Sequence, residues 1–501
     1  MAEEIQNKEN KASYRGIFKA TSLFGGVQVY QILIEIIKSK FIAVLLGPAG
    51  VGIQGLYTSG TQMIQQLSSF GLSSSAVRNV AEAYGSGDNV TISKTITALR
   101  KLVWITGFLG MIAVIVFSPV LSKSSFGDDL HIWAFVALSI TLLFTQINAG
   151  QKVILQGTRK YKHLAKCTAY GMTIGLFVSV PLYYLWGIEA IVPNIIIGSI
   201  TSLIVSWYFS RKIEIDPIKQ TTRETFLLGR SMLTMGLTMS LTQFITIASA
   251  YALRSCIRMW GGVEEVGLYT AGFMLMSQYT GLVFQAMGTD FYPRLAAVNK
   301  DNVKCREIMN QQGEVGFLLL GPLMVLCVVF IPIVVRILFS DAFLAVNDYI
   351  IWCAVGVILQ MASWAISYVF IAKAESKLFA INELSVGIYG LVLNLVGYYY
   401  GGLTGMGISF AVKYLIYFIQ VYCIAKKLYG FSLTNSFVQL FLTQLFTVLI
   451  GVAIVLLLPT LQRFVFGTIL AIFAVGYTLY ELNKRTEVLS FVKNKFRKNG
   501  K

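Results

Sequence analysis

The chain has 501 residues, of which 55% are hydrophobic and only 13% charged. Its mean hydropathy is +0.67. Soluble domains carry about 25% charged residues, so the composition excludes a soluble protein and marks an integral membrane protein. Lys and Arg number 41 against 24 Asp and Glu, a net charge of +17. The basic residues are scattered through loops, not gathered in a domain. That pattern fits loops facing anionic lipid and excludes nucleic-acid binding.

Met1 to Tyr14 is polar, and the first apolar run has no small-residue cleavage site. The expectation is a retained first helix, not a signal peptide. Apolar runs of about 20 residues, the length that crosses a bilayer, recur almost without pause. They lie near 17–46, 54–84, 100–122, 131–156, 164–186, 189–209, 226–258, 265–292, 313–339, 347–372, 378–400, 403–427, 437–458 and 464–482. The fold class is therefore an all-α multi-pass membrane protein of about fourteen transmembrane helices. The thinnest separations are Trp186-Gly187 and Gly401-Gly402.

The loops alternate in charge. One set holds Lys94, Arg100 and Lys101; Arg159, Lys160, Lys162 and Lys166; Arg211, Lys212, Lys219 and Arg223; Lys300, Lys304 and Arg306; Lys373 and Lys377; and Lys426 and Lys427. The opposite set is short and poor in basic residues. The positive-inside rule puts the first set, and both termini, in the cytoplasm.

Six cysteines (Cys167, Cys256, Cys305, Cys327, Cys353 and Cys423) stand far apart, with no CxxC. This supports neither a disulfide framework nor a zinc site. The two histidines, His131 and His163, fall near helix ends, so no metal centre, His-based catalysis or cofactor is expected.

A polar loop at 211–225, containing Pro217, divides the chain. It separates an N-terminal lobe of six helices (15–210) from a C-terminal lobe of six (226–428). A polar cytoplasmic segment (1–14) precedes them; a further helix pair (429–482) and a basic cytoplasmic tail (483–501) follow. Val51-Gly52-Ile53 opens the second helix and Val266-Gly267-Leu268 the eighth. A repeat spanning an even number of helices keeps its orientation and implies a pseudo-two-fold axis along the membrane normal.

Polar residues inside the spans are the functional candidates. The first helix carries Gln28, Gln31, Glu35 and Lys38 within about 80° of one another. Each charge near a helix centre costs roughly 2.5–3.5 kcal/mol, against about 0.3–0.6 returned by each Leu, Ile, Val or Phe. Such a helix needs polar company. Lys40 points to nearly the opposite side and is close enough to Gly47 to snorkel. The second helix has Gln54, Thr58, Gln62, Gln65 and Ser69 at 4, 4, 3 and 4 spacing, with Arg78 at its cytoplasmic end. The seventh has Gln243, Arg254 and Arg258 on one side. The repeat offset puts Arg254 level with residue 39, so cations of both lobes are expected at similar depth. The eighth has Gln278 and Gln285, then Asp290 and Arg294 at the spacing of a local ion pair. The twelfth has Lys413, with Tyr417 and Gln420 on the same side. Cations outnumber the main buried acid, Glu35, and buried cations require an anion. The expected ligand is anionic, with phosphate oxygens the natural match.

Leu45-Leu-Gly-Pro-Ala-Gly-Val-Gly52, Glu265-Val-Gly-Leu-Tyr-Thr-Ala-Gly272 and Thr289-Asp-Phe-Tyr-Pro-Arg-Leu295 resemble the polysaccharide transporter (O-antigen flippase) family. That family belongs to the group containing the multidrug and toxic compound extruders and the lipid II flippases. The likeness covers about 15–485; the final helix pair departs from the compact twelve-helix members. The resemblance implies translocation of an undecaprenyl-diphosphate-linked oligosaccharide, from the cytoplasmic to the periplasmic leaflet of the bacterial inner membrane, by alternating access. The diphosphate would meet Lys38, Lys40, Arg254, Arg258 and Lys413. Gln31, Gln62, Gln243 and Gln278 would meet sugar, and Arg78, Asp290 and Arg294 would serve structure or gating. Exchange for H⁺ or Na⁺ would use Glu35. The implied partners are the lipid-linked glycan, membrane lipids and the glycan polymerase. Two rivals stand beside this reading. A drug or cation antiporter of the same fold would need acidic groups in its cavity. A membrane-embedded enzyme would need a large external loop and a nucleophile–base pair, and neither is present.

Overall fold

No water in a hydrocarbon core is available to satisfy the backbone, so a spanning chain must bond to itself. The computed structural model describes residues 2–213, 218 and 220–486, apart from the side chains of 2–25 and of scattered helix positions. The basic tail from 487 onward, and 214–217 and 219 of the expected inter-lobe loop, lie outside those residues. The described chain is helical and contains no strand. Its helices are α1 (Ala2–Ser68), α2 (Leu72–Gly85), α3 (Asn89–Phe126), α4 (Ile132–Gly157), α5 (Tyr161–Trp186), α6 (Ile191–Ser210), α7 (Thr222–Ala297), α8 (Asn302–Leu338), α9 (Val346–Ala372), α10 (Ser376–Tyr429), α11 (Asn435–Leu457) and α12 (Thr460–Thr486). Among the described residues, eight helical stretches are long and apolar enough to cross a membrane. Two of these, Tyr161–Ser210 and Lys377–Tyr429, each hold two of the expected helices.

Several expected helix pairs run on as one element with a glycine break. The first and second meet in α1 at Gly47 (φ 64°), followed by Pro48. The seventh and eighth meet in α7 at Gly262 (φ 86°), and the eleventh and twelfth in α10 at Gly402 (φ 55°). One expectation is corrected. The helix placed at 54–84 is two, because Phe70 and Gly71 take φ of 48° and 61° and end α1. Its last part is α2, which buries Leu72, Ala76 and Val80 on one face and leaves Arg78 exposed.

The helices also reach further into the basic loops than their apolar cores. Asp88 accepts hydrogen bonds from the Val90 and Thr91 amides at 3.1 Å, so α3 starts before residue 100. Asp301 does the same for α8 with Val303 and Lys304. Thr221 and Glu224 form a reciprocal capping box before α7 (2.9 and 3.3 Å). These donors favour the charged form. They hold the carboxyls of Asp88 (the Thr91 hydroxyl first), Asp301 (the Lys304 amide first) and Glu224 (the Thr221 amide first) below the usual carboxylate range.

The positive-φ positions expose an internal repeat more clearly than the sequence does. Gly262 follows Gly47 by the same interval at which Ala374 follows Arg159 and Gly402 follows Gly187. Each pair stands at corresponding turns of the two halves, and two of the three sit where only glycine is comfortable.

Packing divides the chain at a different point, into residues 1–267 and 268–501. The stretch 226–267, assigned above to the C-terminal lobe, packs with the first unit. The cause is close backbone contact along α7. A side chain on Gly236 would strike the Phe70 carbonyl, and one on Gly267 would strike the Pro48 carbonyl and Gly52. Met232 joins the core of Leu72, Val80, Leu99, Leu102 and Ile154, and the Tyr251 hydroxyl meets those of Ser124 and Ser125 (2.6 and 2.9 Å). In the second unit, Phe291, Leu295, Ile366, Phe370 and Val421 form the core. The extra helix pair joins it through α8: Phe437 packs on Phe317 at 5.0 Å, and the Thr434 amide donates to Asn310 (3.0 Å).

Gly236→Leu is expected to destabilise the purified protein by about 1–3 kcal/mol through overpacking, read as a lowered Tm. Gly476→Ala, where the added Cβ meets nothing within 4 Å, leaves Tm near wild type. At the α3–α4 turn, the Tyr57 hydroxyl bonds His131 Nδ1 (2.7 Å) and Phe126 stacks on the ring at 3.8 Å. Burial, reinforced by Arg258 and opposed by Asp128, lowers the pKa of His131. The stability this contributes is complete above the unfolded value and is lost as pH falls through the folded one. Tm should therefore drop between about pH 7.5 and about pH 5.5, and His131→Gln should flatten that drop. An unchanged pH profile in His131→Gln would contradict it.

Candidate functional site

The first unit contains a polar cavity of about 570 Å³ bounded by α1, α4, α5 and α6. The size lies within the range of small-molecule sites, about 300–1,000 Å³. It arises because each helix turns a stripe of polar or small residues inward. The break at Gly47 lets α1 contribute twice: Gln31, Glu35 and Lys38 before it, and Gln54, Thr58, Gln62 and Gln65 after it. On α4 the stripe is Thr141, Thr145, Asn148 and Lys152, at 4, 3 and 4 spacing, one face of a helix. On α5 and α6, Gly171, Gly175 and Gly198 line the space, and a Cβ on any of them would meet nothing within 4 Å.

The lining offers hydrogen bonds of both senses. Several hydroxyls donate to their own helix: Thr58 to Gln54 O (2.7 Å), Ser179 to Gly175 O (2.6 Å) and Ser199 to Ile196 O (2.7 Å). Their oxygens remain acceptors. Asn194 Nδ2 donates to the Tyr183 hydroxyl (2.7 Å), and Asn148 Oδ1 is buried without a hydrogen bond. Lys38 and Lys152 supply two cations, and Glu35 one anion whose charge acts on Lys38. The balance is cationic. Such a surface suits a ligand rich in hydroxyls that carries negative charge.

Of the residues expected to form the site, Gln31, Glu35, Lys38 and Gln62 lie together here. Lys40, half-buried, is not part of this lining, as its opposite helix face implies. Arg254 and Arg258, in the same unit, are not part of this lining either. Arg254 Nη1 donates to Ala250 O on its own helix (3.2 Å). Arg258 lies over Gly127 at the end of α3. Gln243 accepts from Gln66 (3.4 Å). Gln278 and Lys413 belong to the second unit. The Lys413 ammonium sits over Tyr414 (4.3 Å) and Phe410 (5.2 Å), beside the charge of Glu383. Glu383 in turn accepts from the Tyr417 hydroxyl (3.1 Å), while Gln420 donates to Asn382 (2.6 Å) and Ser385 (2.9 Å). Asp290 and Arg294 form the expected ion pair at 2.8 Å, and Arg294 reaches Gln312 on α8 (3.0 Å). That pair ties two helices together.

Lys152, Asn148 and Glu383 are absent from the sequence-based expectations. The signal is present: a charge within a helix that reads as purely apolar, with polar neighbours at 3 and 4 spacing. Among the described residues, no group of three or more His, Cys, Asp or Glu is placed to hold a metal ion.

Long apolar helices with glycine breaks, in two repeated halves, make this a multi-pass helical membrane protein, and its fold is that of solved MOP-superfamily transporters. An inward-facing multidrug resistance MATE family transporter of that superfamily superposes with a TM-score of 0.67, at 14% identity, over 80% of this chain and 94% of that one. The lipid II flippase MurJ, in an inward closed conformation, gives 0.60 at 13% identity over 93% and 99%. The chain belongs to the polysaccharide biosynthesis protein family, whose model matches residues 41–348. The lipid III flippase of Escherichia coli (strain K12) is 20% identical over 398 residues, 76% of this chain and 92% of that protein. The lipid III flippase of Shigella flexneri matches to the same extent.

Gly198→Leu should fill the cavity without a clash. The expected result is loss of most transport, with stability within about 0.5 kcal/mol of wild type, read by substrate translocation and Tm on the same preparation. Full transport by this variant would exclude the cavity from the substrate path.

Proposed function

We propose that this protein is a flippase of the bacterial inner membrane. It carries an undecaprenyl-diphosphate-linked oligosaccharide, of the O-antigen repeat-unit type, from the cytoplasmic to the periplasmic leaflet. The observation that carries this reading is the pairing of Lys38 and Lys152 in a cavity otherwise lined by amides, hydroxyls and small residues. The lysines would hold the diphosphate as point charges. Gln31, Gln54, Gln62 and Asn148 would exchange hydrogen bonds with sugar hydroxyls, and the prenyl tail would stay in lipid. Membership of the polysaccharide biosynthesis family and the likeness to a lipid III flippase support the substrate class. The Lys/Arg-rich loops support the orientation.

Alternating access is the mechanism this reading uses. Glu35, in the same lining as Lys38, is the carboxylate through which H⁺ or Na⁺ would couple. An antiporter for cationic drugs fits less well, since among the described residues Glu35 is the one acid against two cations in the lining.

Mass spectrometry of the purified protein should find a co-purified diphosphate-linked glycan. Lys38→Gln/Lys152→Gln should reduce its amount about tenfold or more, as expected for loss of charge-assisted bonds, with protein abundance unchanged. Undiminished co-purification in that variant, or transport of cationic dyes in place of the glycan, would overturn the assignment.

A further inference from the structure

A second, smaller pocket of about 220 Å³ opens between the first half of α3 and the last turns of α4 and α6, toward the basic loops. Its walls include Arg100, Trp104, Gln151, Trp207 and Arg211. The two guanidinium groups face a common space, close enough that the charge of Arg211 acts against that of Arg100. Among the described residues, the lining contains no acid and neither arginine forms an ion pair. The Arg211 guanidinium lies 4.9 Å from the centre of the Trp207 ring, which orients it without neutralising it. The Ser210 hydroxyl donates to Gln151 Oε1, leaving the amide NH₂ as a further donor. The surroundings add positive charge: Lys94 and Lys101 on α3, and Lys212, whose ammonium lies over Tyr208 at 4.4 Å. Of these, Lys94 and Lys101 are offset by the charge of Glu224 and Lys94 also by Asp88, so the added charge is that of Lys212.

Two like charges gathered around an empty space raise the energy of the folded chain unless an anion enters. Depth identifies the anion. Trp104 and Trp207 are 47% and 49% exposed on membrane-spanning helices, beside the basic loops. Tryptophans there sit at the head-group level of a bilayer. An anion at that level with a lipid-facing flank is a phospholipid phosphate, and basic pockets between such helices suit head groups of this kind.

We propose that this pocket binds the phosphodiester of an anionic phospholipid, gripped by the Arg100 and Arg211 guanidinium groups, with Gln151 as third donor and the indoles flanking the glycerol. The site is distinct from the transport cavity but shares walls with it. Gln151 faces the lipid pocket and its neighbour Lys152 the cavity. The bound phosphate cancels the arginine repulsion and fastens the ends of α3 and α6 around α4. Anionic lipid therefore stabilises the wall that carries Lys152.

The test uses the full-length protein, depleted of lipid in neutral detergent. Phosphatidylglycerol should raise Tm, whereas phosphatidylcholine and inorganic phosphate at equal concentration should not. In Arg100→Gln/Arg211→Gln the response to phosphatidylglycerol should vanish or require about tenfold more lipid. That variant removes a repulsion and is expected to fold. Should it fail to, brominated phosphatidylglycerol applied to the wild type decides: it should quench tryptophan fluorescence more than brominated phosphatidylcholine, with the difference abolished in Trp104→Phe/Trp207→Phe. Equal stabilisation by phosphatidylcholine, a full shift from inorganic phosphate alone, a wild-type response in the double-arginine variant, or equal quenching by the two brominated lipids would each overturn the proposal.

Discussion

The backbones of α1 and α7 touch at Gly52 and Gly267, with no room for a side chain on either. Helices in a bilayer gain little from burying apolar surface against one another, since lipid is as apolar as leucine. Close approach at small residues and satisfied polar contacts do the work instead. Here that approach fixes the second arm of α1, which begins at the Gly47 break. Gln54, Thr58, Gln62 and Gln65 then stand opposite the stripe on α4, while Gln31, Glu35 and Lys38 on the first arm complete the same wall. A straight α1 would aim one stripe at lipid. The cavity exists because the helix is broken and the break is clamped.

The charges sort themselves by what surrounds them. Lys38 and Lys152 face the cavity. Lys413 is absorbed by two aromatic faces and the charge of Glu383, and Arg258 by the end of α3. A buried cation needs compensation, and the protein supplies it from within for Lys413 and Arg258, whereas Lys38, with Glu35 beside it, and Lys152 face open space. Counting cations per helix cannot distinguish these cases. The distinction lies in whether an acid or a ring from another helix reaches the same point.

That distinction sets how much is legible in the residues alone. The membrane class, the helical fold and the breaks at Gly47, Gly187 and Gly402 follow from apolar length and glycine position. So does the separation of Lys38 from Lys40, because 100° per residue is a local rule. The Asp290–Arg294 pair needs only i to i+4 spacing. Within the first unit, Arg254 and Arg258 do not join Lys38 in the cavity lining, because equal depth along a membrane normal says nothing about azimuth or about partners elsewhere in the chain. Lys152 escapes notice for the converse reason. Its helix is apolar enough on average to hide a polar stripe, and the stripe gains meaning only when α1, α5 and α6 close around it. The packing boundary at Gly267 is equally hidden, since the polar loop at 211–225 marks the repeat and not the contact between helices.

The matched backbone breaks carry one more consequence. Arg159 and Gly187 are as far apart along the chain as Ala374 and Gly402. At a rise of about 1.5 Å per residue that interval is about 42 Å, the thickness of a bilayer with its head groups, about 40–45 Å. The longer intervals agree as well: Gly47 precedes Arg159 by as much as Gly262 precedes Ala374. The two halves differ almost everywhere in side chains yet keep the same lengths between turns. The bilayer acts as a ruler on each half independently. An insertion between these turns would push a turn out of register with the water interface, whatever its sequence, so length is under tighter physical constraint here than composition.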